Sequence, residues 1–577
     1  MGTLGTAGWI ARCGCRMLGV YLMIMAACTP DQPPDLILVN GRIVTMDASQ
    51  PEVAALAVRG GRIQASGASE LIREMAGPGT RILDLRGRLA TPGWIESHAH
   101  FSGLGEAGLR LDLAACRSWE EIVDLVAEAA RRTPPGEWIV GGGWHQEKWS
   151  ASPQPNVEGL PLNDSLSRVS PDHPVLLEHA SGHAAIANAR AMERAGIGPS
   201  TPDPPGGTIL RDGGGRPTGV LRENAAGLVE AARARDLAAL EPAAQKTRRL
   251  QVLDHAVREV VSHGITTFHD AGASFEDVAF YREAAAAGRL PVRLYVMLSE
   301  PNERLAAQAA AWRTVGAFDH HLTVRAVKRY IDGALGSHGA WLKAPYADLP
   351  VTGLNTTPLA DLEAAARIAL EQDLQLCVHA IGDRANAEVL ALYARVLGDG
   401  PEGRQRRWRI EHAQHLDPAE IPLFAGLGVV AAMQAIHAVS DGPWVPLRIG
   451  ELRAREGAYV WRRLLDAGVV IANGTDAPVE PIDPIACFHA SVTRQMQDGR
   501  AFFPEQAMSR EEALASYTWA GAYAAFEEDI KGSLTPGKLA DITVFSQDLL
   551  RVPESEIRAT KVVYTIVGGE VVYEAGD

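Results

Sequence analysis

Between residues 35 and 89 apolar and polar positions alternate in short runs broken by glycine turns: LILVNGRIVTMD, AALAVRGGRIQASG and RILDLRGRLA. Alternation of period two marks half-buried strands, and Asn40-Gly41 and Gly60-Gly61 stand where hairpin turns belong. The same idiom returns at the other end, in GKLADITVF and VVYTIVGGEVVY. The two ends, 35–90 with 533–577, are therefore expected to pair into one small β-sandwich domain interrupted by a large middle.

The middle follows another rhythm. Strand-like apolar stretches recur at 91–101, 264–270, 292–298, 323–333, 374–383, 407–415, 428–437 and 468–478, eight in all. Between them lie segments of helical period, such as LADLEAAARIALEQ and DHAVREVVSH; in the latter Ala256, Val257, Val260 and Val261 share one face. Eight β/α units predict an α/β fold, a (β/α)8 TIM-type barrel over 91–532 with its site at the C-terminal ends of the strands. Residues 102 to about 250 are too many for a loop and are expected to form a cap over the barrel mouth. The cap is rich in glycine, yet no phosphate-binding glycine motif stands at a strand-to-helix junction.

Composition changes this picture little. Apolar residues make up 46 % and charged residues 22 % of the 577, ordinary for a packed protein. A net charge of −15 argues against nucleic acid as a partner. Residues 1–28 differ in kind: Arg12 and Arg16 flank a short apolar run that ends in Met25-Ala26-Ala27-Cys28. That run is shorter than the roughly 20 residues a membrane span needs, and it reads as a secretory leader that is removed. Its end resembles the lipobox of bacterial lipoproteins, with Met25 where Leu is usual. The resemblance implies that Cys28 becomes a lipidated N-terminus and the only membrane contact of an exported, periplasmic or cell-envelope protein; the alternative is a start site placed too far upstream. A polar, proline-rich spacer, 29–34, follows. Beyond it remain Cys116, Cys377 and Cys487, with no CxxC, so neither a disulfide framework nor a cysteine-type zinc site is indicated.

Candidate chemistry collects where the strands end. His98 and His100, one residue apart on a strand, point the same way and offer two imidazoles to one cation. Lys328, His379, His412 and Asp476 lie at the ends of the fourth, fifth, sixth and eighth strands. Imidazoles and carboxylates suit Zn²⁺, and metal-acidified water supplies hydroxide at neutral pH. A lysine is ordinarily a cation, so an ion pair with Asp332 is the plain alternative for Lys328. His269, His415 and His437 also sit at strand ends, where contact with a ligand or substrate is weighed against simple packing.

The segments PGWIESHAHF, VKRYIDGALGS, VHAIGD, RIEHAQ, MQAIHA, GTDAPVEP and KGSLTPGKLADITVF together resemble, in content and order, the amidohydrolase superfamily. Within it the chain is similar to amidohydrolase family 3, which includes N-substituted formamide deformylase-like proteins, from about Leu36 to its end. The resemblance implies a metal-dependent hydrolase of a C–N bond in a small amide, N-formyl or cyclic amide substrate. It implies that His98 and His100 bind one metal, that Lys328 is carboxylated and bridges two, and that His379 and His412 hold the second. Asp476 would be both a metal ligand and the catalytic carrier of the proton. Two Zn²⁺ ions are expected, with Mn²⁺ or Fe²⁺ as alternatives. Trp144 and His183 look similar to substrate-facing family positions, Trp144 having cap core as its alternative, and His338 and His437 are placed with them at the mouth. His338 stands where the family often has Arg, Ala435 where it often has Pro, and Glu96 where Asp is common, so the substrate is not carried over. An ester or carbamate substrate, or a cell-surface binding protein without turnover, are the alternative functions.

Overall fold

The computed structural model describes residues 32–180, 184–398 and 400–576; the leader, Cys28 and His183 lie outside the described residues. Eight parallel strands follow one another in chain order: β1 (Trp94–Ala99), β2 (Ile265–Ala273), β3 (Arg293–Leu298), β4 (Leu322–Tyr330), β5 (Gln375–Ala380), β6 (Arg409–His412), β7 (Val430–Met433) and β8 (Ile471–Asn473). Each expected strand is realised, and the fold is a TIM-like (β/α)8 barrel. Helices cover the outside, so strands such as β3 are buried at every position. Local chemistry starts the helices: Ser274 and Asp277 form a reciprocal capping box ahead of the helix Phe275–Ala286. The long helix Pro242–Ser262 buries Ala256, Val260 and Val261 before the chain enters β2.

The seam between β8 and β1 is closed just past the strand ends. Asp476 N donates to His98 O at 2.8 Å, His100 N to Ala477 O at 2.8 Å, and Thr475 N to Glu96 Oε1 at 2.7 Å. A Cβ on Gly474 would stand 2.3 Å from Glu96 Oε1, so only glycine lets the chain pass here. Barrel closure thus runs through the residues that carry the candidate site.

One six-stranded sheet joins both chain ends: Ile542–Phe545 pairs antiparallel with Leu89–Pro92, flanked by Arg42–Val44 and Glu52–Val53 on one side and Val562–Val567 and Glu570–Glu574 on the other. A second, four-stranded sheet is wholly N-terminal, and Leu38, Leu56, Ile43, Val544 and Ile566 fill a common core with it. Gly60-Gly61, both at positive φ, makes the expected hairpin between Ala55–Arg59 and Arg62–Gly67. Asn40-Gly41 does not. Leu36–Val39 and Arg42–Val44 belong to different sheets, so this turn carries the chain from one layer to the other. Asn40 takes the left-handed conformation there, and Gly41 lies so close to Leu85 that a Cβ would meet its Cδ1 at 2.4 Å.

The insertion is a subdomain with its own six-stranded sheet, formed by strands from Leu111–Asp112 to Pro217–Glu223, and separate apolar clusters around Trp119, Ile122 and Val175 and around Leu176, Met192 and Leu221. Among the described residues no helix is long and apolar enough to cross a membrane.

Candidate metal centre

The expected ligands converge at the C-terminal end of the barrel. Asp476 Oδ1 stands 3.2 Å from His100 Nε2 and 3.5 Å from His98 Nε2. Lys328 Nζ is 3.4 Å from the same His98 nitrogen. Across the axis the His412 ring lies 4.7 Å from that of His98 and 4.6 Å from that of His379. Two three-ligand groups result, His98/His100/Asp476 and His412/His437/Asp476, each with ligand atoms within 4.8 Å of one another. His437, assigned to substrate on sequence grounds, therefore shares a cradle with two of the expected ligands, His412 and Asp476, its Nε2 3.8 Å from Asp476 Oδ2.

Outer partners orient the imidazoles. His98 Nδ1 is bound to Glu411, which Arg409 holds through two hydrogen bonds. His412 Nδ1 donates to Gln434 Oε1 at 2.8 Å, while Gln434 Nε2 is occupied by Ala432 O. That arrangement leaves the Nε2 lone pair of His412 bare. Gln414 Nε2 meets His437 Nδ1 at 3.0 Å. Asp332 is not the partner of Lys328: it accepts the backbone N–H groups of Trp341, Ile381 and Gly382 and lies 3.5 Å from His379 Nε2. Two of the site residues, His412 and Asp476, sit at φ +75 and +62, where non-glycine residues are uncommon.

The electrostatics fit a cation. Burial, reinforced by the charge of Lys328 and only partly offset by Glu411, lowers His98 to about 4. Burial also takes His379 and His412 well below the usual histidine range, so all three are neutral donors at pH 7. Asp476 is held far below the ordinary carboxylate range: burial works against this, and the hydrogen bond from His100 beside it is the largest effect pulling it down. Burial lowers Lys328 as well, and among the described residues no carboxylate pairs with its Nζ. His379 Nε2, His437 Nε2 and Asp476 Oδ1 are buried without hydrogen-bond partners. Buried polar atoms of this kind are costly unless something binds them. The donor set present therefore fits a divalent metal.

The remaining candidate residues make contacts of their own. Trp144 is not substrate-facing: it is wholly buried in the cap, its Nε1 donating to Leu177 O at 3.0 Å and its ring stacked on Trp149. Its likeness to substrate-facing family positions suggested contact with substrate; the indole instead takes the alternative place, in the core of the cap. His338 engages Asp348 at 3.1 Å and packs against Tyr346. His269 takes a hydrogen bond from Arg409, and His415 lies against Tyr459. Sequence reasoning did not single out Glu411, Arg409, Gln434 or Gln414. The signal for the first two was available, since charges at alternate positions of a strand inside a barrel have no water to face.

The model of the amidohydrolase family matches residues 81–573. The Bacillus subtilis (strain 168) protein YtcJ is 32 % identical over 93 % of this chain and 98 % of its own length. The N-substituted formamide deformylase of Arthrobacter pascens is 28 % identical over 94 % of this chain and 99 % of its own. Among solved structures, an uncharacterized metal-dependent hydrolase from Pyrococcus furiosus superposes with a TM-score of 0.73 at 26 % identity, covering 89 % of this chain and 100 % of that one.

Proposed function

This chain belongs to the amidohydrolase family, a metal-dependent hydrolase by that membership, and from that premise we propose that it cleaves a C–N bond in an amide, N-formyl or cyclic amide substrate. The observation that carries the reading is the convergence at the C-terminal end of the barrel of neutral imidazoles, an ionised Asp476 and a buried Lys328 that has no carboxylate partner among the described residues. His98 and His100 would hold one cation and His379 and His412 the other, zinc being the first candidate. A divalent metal held by these residues would supply acidified water and Lewis acidity toward the scissile carbonyl. Asp476 accepts the proton of the attacking water on a carboxylate oxygen and delivers it to the leaving nitrogen. His437 hydrogen-bonds the substrate from Nε2, which has no partner of its own. His183 and His338 are kept as substrate-side residues.

Lys328 is proposed to be carboxylated. Burial favours its neutral amine, which adds to carbon dioxide with loss of one proton and becomes an anionic carbamate able to bridge two cations. The 28 % identity to an N-substituted formamide deformylase supports N-formyl amines as first substrates. The leader-like stretch ending in Cys28 supports a lipid-anchored protein of the cell envelope.

The test is metal content by elemental mass spectrometry for the wild type and Lys328→Ala, followed by formate or amine release from a panel of N-formyl amines, amides and cyclic amides, with esters and carbamates alongside. About two metals falling to one or none, with turnover of an amide-type compound, is expected. One metal unchanged by the substitution removes the bridging role of Lys328. Full metal content without turnover of any compound favours a binding protein.

A further inference from the structure

Residues Arg409 and Glu411 stand two apart on β6, so both side chains enter the barrel, and both are wholly buried. Arg409 Nε donates to Glu411 Oε1 at 2.7 Å and Nη2 to Oε2 at 2.9 Å. The same guanidinium ties down two further strands, through Ser97 O in β1 at 2.6 Å and His269 Nδ1 in β2 at 3.1 Å. Glu411 Oε2 then meets His98 Nδ1. An ionised carboxylate only accepts, so His98 donates from Nδ1 and keeps its lone pair on Nε2. That nitrogen is the one facing Asp476 and Lys328.

We infer that Arg409 is a positioning residue for the metal ligand His98, acting through Glu411, and that this relay sets the affinity of the cation site formed with His100 and Asp476. The inference rests on the metal-dependent reading above. Water does not reach the pair, so Glu411 depends on Arg409 for its charge partner. The planar fork engages both carboxylate oxygens, and Oε2 cannot turn away from His98 without breaking it. With Arg409 anchored on three strands, the imidazole is fixed in tautomer and in angle. Removing such outer partners typically costs ~10–100-fold in metal affinity.

A purely structural pair would behave differently, and the molecule contains one for comparison. Arg293 and Asp541, equally buried at the junction of barrel and chain-end sheets and 2.8 Å apart, lead to no proposed ligand. The experiment compares Glu411→Gln, Arg409→Lys and Arg293→Lys in the full chain, reading Zn²⁺ affinity by chelator competition and the visible absorption of Co²⁺-loaded protein. Both substitutions in the relay are expected to weaken Zn²⁺ by ~10–100-fold and to shift the Co²⁺ bands, with Arg293→Lys matching the wild type in both. Should Arg409→Lys fail to fold, the nearly isosteric Glu411→Gln decides. Folded Glu411→Gln with wild-type affinity and spectrum overturns the inference, as does an equal loss in Arg293→Lys. A wild-type chain that binds neither metal overturns the metal-dependent reading itself, an outcome distinct from the other two.

Discussion

Asp476→Asn separates the chemistry of the site from its backbone. Asp476 adopts φ +62, and asparagine is among the few non-glycine side chains that accept this conformation readily. Volume and the backbone bond to His98 O are retained, so stability in urea should stay close to wild type. Alanine at the same place should lose about 1–2 kcal/mol to strain. What asparagine cannot do is take up a proton. Its carboxylate predecessor lies 3.2 Å from His100 and 3.8 Å from His437, between the two ligand groups, where an attacking water and a leaving nitrogen would both be within reach. General base catalysis contributes about 10²–10⁴-fold, which is about 3–5 kcal/mol on the barrier. The assay is kcat on whichever N-formyl amine or amide the wild type turns over, with metal content measured on the same preparation. Near-wild-type kcat with metal retained would refute Asp476 as proton carrier, and equal stability of the Asn and Ala variants would refute the strain argument.

Further expectations follow from burial and charge. Lys328→Met should lower the metal count by at least one, and at a metal concentration 100 times Kd each lost site removes about 2.7 kcal/mol of metal-dependent stabilisation, measurable by urea melts with and without chelator. Trp144→Ala should cost about 3–5 kcal/mol through cap unfolding, which limited proteolysis of residues 102–250 would reveal; an unaffected cap would restore the mouth-facing reading. Glu96 is raised by burial to about 8 from 4.5. Between those values the unfolded chain is ionised while the native carboxyl keeps its proton, so unfolding releases a proton and stability falls as pH rises through this window, levelling off above it. Glu96→Gln should flatten that slope, and parallel pH–stability curves for variant and wild type would count against a protonated Glu96. Cys28→Ser should move the protein from the membrane fraction to the soluble one; an undiminished membrane fraction would remove the anchor.

Much of this molecule was readable from local pattern. The eight barrel strands, the helices between them and the pairing of the chain ends follow from periods of two and of about 3.6, which each segment carries by itself. His98 and His100 announce a shared face for the same reason. Chemistry set by partners far along the chain was not readable. Alternation would send Glu411 and His412 to opposite sides, yet both reach His98, because His412 and Ala413 turn left-handed at the strand end. Asn40-Gly41 has a hairpin's composition, but the close passage of Leu85 sends the chain into another sheet.

Sequence alone, then, determined the architecture and the residue types of the site, since hydrophobic periodicity and strand-end position are properties of neighbours in the chain. Only the tertiary structure decided that Trp144 belongs to the cap core, that His437 shares a cradle with His412 and Asp476, and that Arg409 stands behind His98. Those facts depend on which atoms meet when β8 closes against β1 at Gly474, 376 positions after His98 in the chain, and no local period specifies a contact of that span.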